Sequence, residues 1–138
     1  MRLLGHLMSN QSSTNIVKLL IVDSDELNIS NIVRTINDNI RIYDIYATNN
    51  PNKAISYMIS SSINDEEANF DFIVIGDVIG EMDRLALLIY IKSAAQIKNI
   101  KVIIMGRDKN CKNEIYLSNG ANAVVEGAAE LRQALNVQ

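Results

Sequence analysis

Four short stretches of this 138-residue chain gather side chains that could do chemistry. Asp23, Ser24 and Asp25 close the apolar run Leu19–Leu20–Ile21–Val22. Gly76 and Asp77 close Phe70–Asp71–Phe72–Ile73–Val74–Ile75. Gly106, Arg107 and Asp108 follow Lys101 to Met105, and Glu126 and Gly127 follow Ala123–Val124–Val125. Carboxylates at the ends of buried strands suit cation binding or phosphoryl acceptance, because both use hard anionic oxygens. The first run delivers its acid on time, whereas the second ends on glycine, which has no carboxylate. Of these two runs only the first ends on a carboxylate.

Asp77 lies one residue late, and a one-residue slip turns a strand side chain to the opposite face. Past a strand end the backbone can curl, so two readings stay open for Asp77. It is a substitute group in the pocket, or a solvated acid near a helix start. Asp23 and Asp25, with no metal between them, repel each other or raise one pKa. Asp23 reads most simply as a polar strand end held by backbone amides. Arg107 and Lys109 either pair with these acids or are ordinary surface charge.

Other chemistries lack their residues. The turn after the first run holds no glycine, so neither a GxGxxG fingerprint nor a Walker A loop exists there, and no Gly-Lys-Ser/Thr occurs anywhere. No serine sits in a nucleophile elbow. Cys111 is the single cysteine, which rules out an internal disulfide and a thiolate metal cluster. His6 is the single histidine and stands far from it in sequence. No acid–base pair or triad assembles, so no enzyme activity is expected.

These groups need elements to hold them, and the apolar pattern supplies a set. Apolar residues make up 48% of the chain, 21 of them isoleucine, which is enough for one packed domain. Val17 to Asp23 reads as a strand covered on both faces. Asp25 caps a helix whose Ile29, Ile32, Val33 and Ile36 share one face. Ile40 to Ala47 is a second strand, with Ile40, Ile42 and Ile45 inward and an edge-like alternation. Asn50 caps a second helix that starts on Pro51 and carries Ala54, Ile55, Met58, Ile59 and Ile63. Phe72–Ile75 is the third strand, followed by a loop to Asp83. A third helix over 84–95 carries Leu85, Leu88 and Ile89. Lys101–Met105 is the fourth strand. A fourth helix spans 112–118 and stops near Asn119–Gly120. Ala123–Val125 is the fifth strand, and Ala128–Val137 a last helix with Leu131, Ala134 and Leu135 inward. Five strands alternating with five helices predict an α/β fold, a doubly wound parallel sheet. Residues 1–15 are expected as a flexible extension, a loose tail or a docked leader helix, and 16–138 as the domain.

In an open parallel sheet ligands bind outside the carboxyl ends of the strands, where the four stretches fall. Their order and spacing resemble the receiver domain of two-component response regulators, CheY-like and flavodoxin-like in fold. Leu19 to Asp25 is similar to the opening strand and acidic pair of that family. Phe70 to Gly76 resembles its third strand, and Ile79–Gly80–Glu81–Met82–Asp83–Arg84 its Met-Pro-x-Met-Asp-Gly loop. Lys101 to Gly106 and Gly120 to Val125 resemble its last two strands. The resemblance covers residues 17–137 and implies a (βα)5 fold with strand order 2-1-3-4-5.

The departures fall on the chemistry the resemblance implies. Gly76 stands at the phosphoacceptor aspartate and Ser24 at the second metal-binding acid. Gly106 replaces the hydroxyl residue, Gly127 the lysine, Ala128 its proline partner and Val124 the switch aromatic. Only Asp23 is kept, and one carboxylate makes a poor magnesium site. The resemblance therefore implies an atypical receiver that works without phosphorylation, cofactor or metal. It implies docking on a protein partner or a second copy through the fourth helix, fifth strand and fifth helix. Ile115, Tyr116, Val124, Glu126, Leu131 and Gln133 are the expected interface, with Tyr116 either an anchor or packed on its own helix. With no output domain expected after Gln138, the chain would act alone, as a dimer or on a separate partner.

The alternative is a sensor holding a small ligand or anion in the vacated pocket, with Asp23, Asp25 and Asp77 as residual acids and exposed amides as an anion nest. Net charge is −3, and Lys98, Lys101, Arg107, Lys109 and Lys112 are scattered, so nucleic acid is not an expected partner. With no 18-residue apolar stretch and no signal-peptide pattern at the start, a cytoplasmic location is expected.

Overall fold

The computed structural model describes residues 2–4, 16–37, 41–64, 70–77, 83–94, 99–106 and 113–137. The strands are β1 (Arg2–Leu4), β2 (Ile16–Val22), β3 (Ile42–Thr48), β4 (Phe72–Ile75), β5 (Lys101–Met105) and β6 (Ala123–Val125). The helices are α1 (Glu26–Ile36), α2 (Pro51–Asn64), α3 (Arg84–Ser93), α4 (Asn113–Ser118) and α5 (Ala128–Val137). They form one sheet in the order β1-β3-β2-β4-β5-β6. β2 to β6 run parallel, and counted among themselves they give the expected order 2-1-3-4-5.

Residues of β2 alternate between two cores because successive strand side chains point to opposite faces. Leu19 and Ile21 pack with Ile29, Ile32 and Ile36 of α1 and Leu131 and Leu135 of α5. Leu20 and Val22 pack with Ala54 and Met58 of α2, Leu87, Leu88 and Ile91 of α3, and Tyr116 of α4. Both faces of the sheet are covered, which is why its central strands tolerate unbroken apolar runs. Each fully buried aliphatic side chain contributes about 1.5–3 kcal/mol.

Local signals start the helices where expected. Asp25 caps α1 by accepting from the Leu27 amide at 2.9 Å. Asn50 caps α2 by accepting from Asn52 at 2.9 Å, with Pro51 in the first turn. Asp83 caps α3 by accepting from Ala86 at 2.8 Å. Gly120, at φ +104°, follows α4 in the left-handed region.

Four expectations change. β3 turns Tyr43, Ile45 and Ala47 fully inward and leaves Ile42 half-buried, with Ile40 outside the described residues. Its inward face is therefore the odd-numbered one, shared with Ile45. β3 is also not an edge, since Arg2–Leu4 pairs antiparallel with it, Leu3 opposite Ile45. Those three residues are a strand, not tail or helix; 1 and 5–15 lie outside the described residues. On α3 the buried stripe is Leu87, Leu88 and Ile91, and Ile89 faces solvent. Arg84, Leu88 and Lys92, one turn apart, lie along one side of the helix. Its ends, Arg84 and Lys92, reach carbonyls near the two ends of β5.

Candidate functional site at the carboxyl ends of the parallel strands

The ends of β2, β4, β5 and β6 converge as a doubly wound sheet requires. The two central exit loops are joined by the backbone, Ser24 N–H donating to the Asp77 carbonyl at 2.6 Å. Gly76 continues the ladder by donating to the Val22 carbonyl at 2.8 Å. Gly106 donates to the Val125 carbonyl at 2.9 Å.

Asp23 is 0% exposed, a buried acid at the centre of this end. Its Oδ1 accepts from the Asp25 amide at 2.8 Å, and its Oδ2 from Asn28 Nδ2 at 3.5 Å. Burial pushes its carboxyl above the ordinary value of 3.8, and the neighbouring Asp77 carboxylate pushes the same way. Backbone hydrogen bonds from the Asp25 and Asp77 side and the Asn28 amide oppose the rise without cancelling it.

The three glycines differ in what they permit. A Cβ built on Gly76 would overlap Asp23 Oδ2 and stand 2.9 Å from its Cγ. The space where an acceptor side chain would begin is thus filled by Asp23. Gly106 has φ +122°, where a side chain is strained, and a Cβ there would lie 3.1 Å from Arg84 Nη1. Gly127 has nothing within 4 Å of such a Cβ. A side chain at 76 would have to displace the Asp23 carboxylate, one at 106 would be strained by its backbone, and one at 127 would meet nothing within 4 Å.

A cavity of about 220 Å³ opens beside them, lined by Asp23, Asn28, Asn31, Ile32, Asp77, Met105, Gly106, Glu126, Gly127 and Ala128. Of the expected acidic pocket, Asp23 and Asp77 line it; Asp25 does not, because its carboxylate turns to the α1 amides as a cap. Glu126, expected on the interface, lines the cavity instead. Arg107 and Lys109 lie outside the described residues, as do Cys111 and His6. Among the described residues, no group of three or more His, Cys, Asp or Glu is placed to hold a metal ion. The donor set does not fit the magnesium ion that receiver chemistry uses. Gly76 and Ser24 offer no carboxylate, and both Asp23 oxygens already accept protein hydrogen bonds.

On the expected docking face Ile115, Glu126 and Gln133 are exposed and Val124 is half-buried. Leu131 is 0% exposed and Tyr116 7%, so neither can anchor a partner. Leu131 packs into the α1/α5 core, and the Tyr116 ring lies 5.2 Å from the Arg84 guanidinium carbon. Leu117, 49% exposed on the same short helix, is an apolar surface residue that the inward spacing did not mark. Asn28, Asn31 and Arg84 were also missed. The two asparagines sit three apart on the pocket-facing side of α1, which a helical projection from Asp25 could have found. Arg84 has no such signal, since its reach depends on the tertiary fold.

No protein-family model matches the sequence, and no curated protein matches it. Solved structures match its fold. A response regulator receiver domain from Rhodospirillum rubrum aligns with TM-score 0.72 at 16% identity, over 88% of this chain and 95% of that one. The phosphorylated cyanobacterial phytochrome response regulator RcpA aligns with TM-score 0.71 at 15% identity, over 88% and 89%. A Francisella response-regulator receiver domain aligns with TM-score 0.67 at 22% identity, over 88% and 94%. The chain has the CheY-like receiver fold, and its third parallel strand, Phe72–Ile75, carries no aspartate at the acceptor position.

Proposed function

We propose that this protein is a phosphorylation-independent receiver-type module. It acts in signalling or regulation by docking on a protein partner or a second copy of itself. The observation that carries this reading is the overlap between Asp23 and the missing side chain of position 76. The Asp23 carboxylate leans into the space beside Gly76, and position 76 itself has no carboxylate to accept a phosphoryl group. Binding, not catalysis, is the role, and the cytoplasm the location. The surface then carries function, through α4, β6 and α5, with Ile115, Leu117 and Gln133 as its outward groups. Ile115 and Leu117 flank the buried Tyr116 as separate exposed apolar residues, which suits a modest interface. Incubation with acetyl phosphate, or beryllofluoride and magnesium, followed by mass and amide shifts, tests it. No adduct and no saturable shift are expected; a stoichiometric aspartyl adduct overturns the reading.

The cavity favours one second reading, a small-ligand sensor. Its lining holds Asp23, Asp77 and Glu126 but, among the described residues, no lysine or arginine. Such a lining suits a cationic or neutral ligand better than the anion first considered. At about 220 Å³ it has room for a small ligand of about ten heavy atoms. Thermal shift against short amines and against phosphate separates the two ligand classes.

A further inference from the structure

Arg84 occupies the first position of α3, next to its cap Asp83, where a long cation ordinarily points into water. Here it crosses to the carboxyl end of β5, and Nη1 donates to the Met105 carbonyl at 2.8 Å. Its guanidinium carbon stands 5.2 Å from the centroid of the Tyr116 ring in α4. The same Nη1 lies 3.1 Å from the point where a Cβ on Gly106 would stand, and Asp77 Oδ1 lies 3.9 Å from that point. One half-buried side chain therefore touches the end of β5 and the face of α4 from the start of α3.

α4 is only six residues long, and Tyr116 is its one buried side chain. A single turn and a half has little cohesion of its own. Its seating therefore depends on what Tyr116 packs against, and that includes a planar cation fixed by a carbonyl. The bare backbone of Gly106 leaves the room that Arg84 uses. A side chain at 106, with the hydroxyl that the resemblance would place there, would crowd the guanidinium.

We infer that Arg84 is a positioning residue that pins α4 to the end of β5 in one arrangement, holding the docking face ready without a chemical trigger. This rests on the phosphorylation-independent reading above. Arg84 is thus a fixed tie beside the bare backbone of Gly106.

The test reads α4 directly in the full chain. The amides of Asn119, Gly120 and Ala121 donate to the carbonyls of Ile115 and Tyr116, Leu117, and Tyr116 respectively. Their hydrogen exchange reports whether α4 is seated. In R84A these amides should exchange at least about tenfold faster, while those of Leu20 and Ile73 in the central strands keep their rates. Y116L, which removes the ring but leaves the Met105 bond, should give the same local pattern, and R84A/Y116L should be less than additive. Relaxation dispersion on the unaltered protein should find residues 113–121 in one state, a measurement that stands even if a variant fails to fold. Millisecond two-state exchange in α4 with Arg84 intact overturns the inference. So does uniform acceleration across the sheet in R84A, or no change at α4. An aspartyl adduct in the acetyl phosphate experiment would instead sink the parent reading, so the two failures are distinguishable.

Discussion

Asp23 and Gly76 share one volume. The Asp23 Oδ2 atom fills the place where a side chain at 76 would begin, while the Gly76 amide completes the ladder to Val22. A retained acid and a lost acid are thus one packing arrangement, not two independent changes.

Gly76→Asp should therefore fail to restore phosphorylation and should destabilise the fold. The new Cβ drives into the Asp23 carboxylate and brings a second buried charge. A cost of about 1–3 kcal/mol is expected for the overpacking alone. Urea denaturation measures it, and the companion variant D23A/G76D should recover much of the loss by emptying the shared volume. Phosphoprotein mass after acetyl phosphate should remain that of the unmodified chain. If G76D alone is as stable as the parent, Asp23 does not hold that space.

Asp23 should also make stability depend on pH in an unusual sense for an acid. Its folded pKa is raised by burial above 3.8, so the native state holds the proton more tightly than the unfolded state. Its contribution is fully present below the unfolded value and is lost as pH rises through the folded value. At neutral pH the buried charge is then a net cost. D23N should raise the denaturation midpoint at pH 7, and that gain should shrink towards zero as pH falls below about 4. Paired melts across pH 3 to 8 check it; a D23N gain that grows at low pH contradicts the assignment.

The docking face and the core separate cleanly by substitution. Ile115 is 40% exposed, whereas Leu131 is 0% exposed on the neighbouring helix. I115D should leave the melting midpoint nearly unchanged and weaken self-association or partner capture. L131D should lose several kcal/mol or fail to fold, because it buries an unpaired charge. Light scattering after size exclusion, with thermal melts, reads both. Loss of stability in I115D would mean that α4 packs more tightly than its exposure indicates.

The sequence made the five parallel strands and the starts of α1 and α2 legible because those features follow local rules, whereas the strand order came through the family resemblance alone. Unbroken apolar runs mark covered strands, and Asp25 and Asn50 mark caps. The glycines at 76, 106 and 127 were legible as departures, but not their different causes. Those causes are tertiary: Asp23 reaching across from the neighbouring strand, Arg84 arriving from α3, and open space at Gly127. Tyr116 stays open between anchor and packed residue in the sequence because a tyrosine suits an interface and a core equally well, and its burial resolves it as packed. Leu131 was assigned both inward and to the docking face, and packing resolves it inward. β3 was misphased because Ile42, Tyr43 and Ile45 are all apolar enough to face inward, and only the neighbouring strands fix the parity.

The N-terminal strand offers a last test. Arg2–Leu4 covers the outer edge of β3 with three residues of antiparallel pairing. Such a short strand brings few hydrogen bonds, each of net value about 0.5–1.5 kcal/mol. Deleting residues 1–4 should therefore leave the domain folded. It should convert β3 into a true edge, with unpaired backbone groups on its outer side. The β3 amides that point towards β1 should lose protection, while those pointing at β2 keep theirs. Self-association at high concentration should rise, because an uncovered edge is a template for another strand. Hydrogen exchange and light scattering on the truncated chain read both effects. Unchanged protection along the whole of β3 would show that the strand contributes nothing to the sheet, and the edge would then be guarded by some other means.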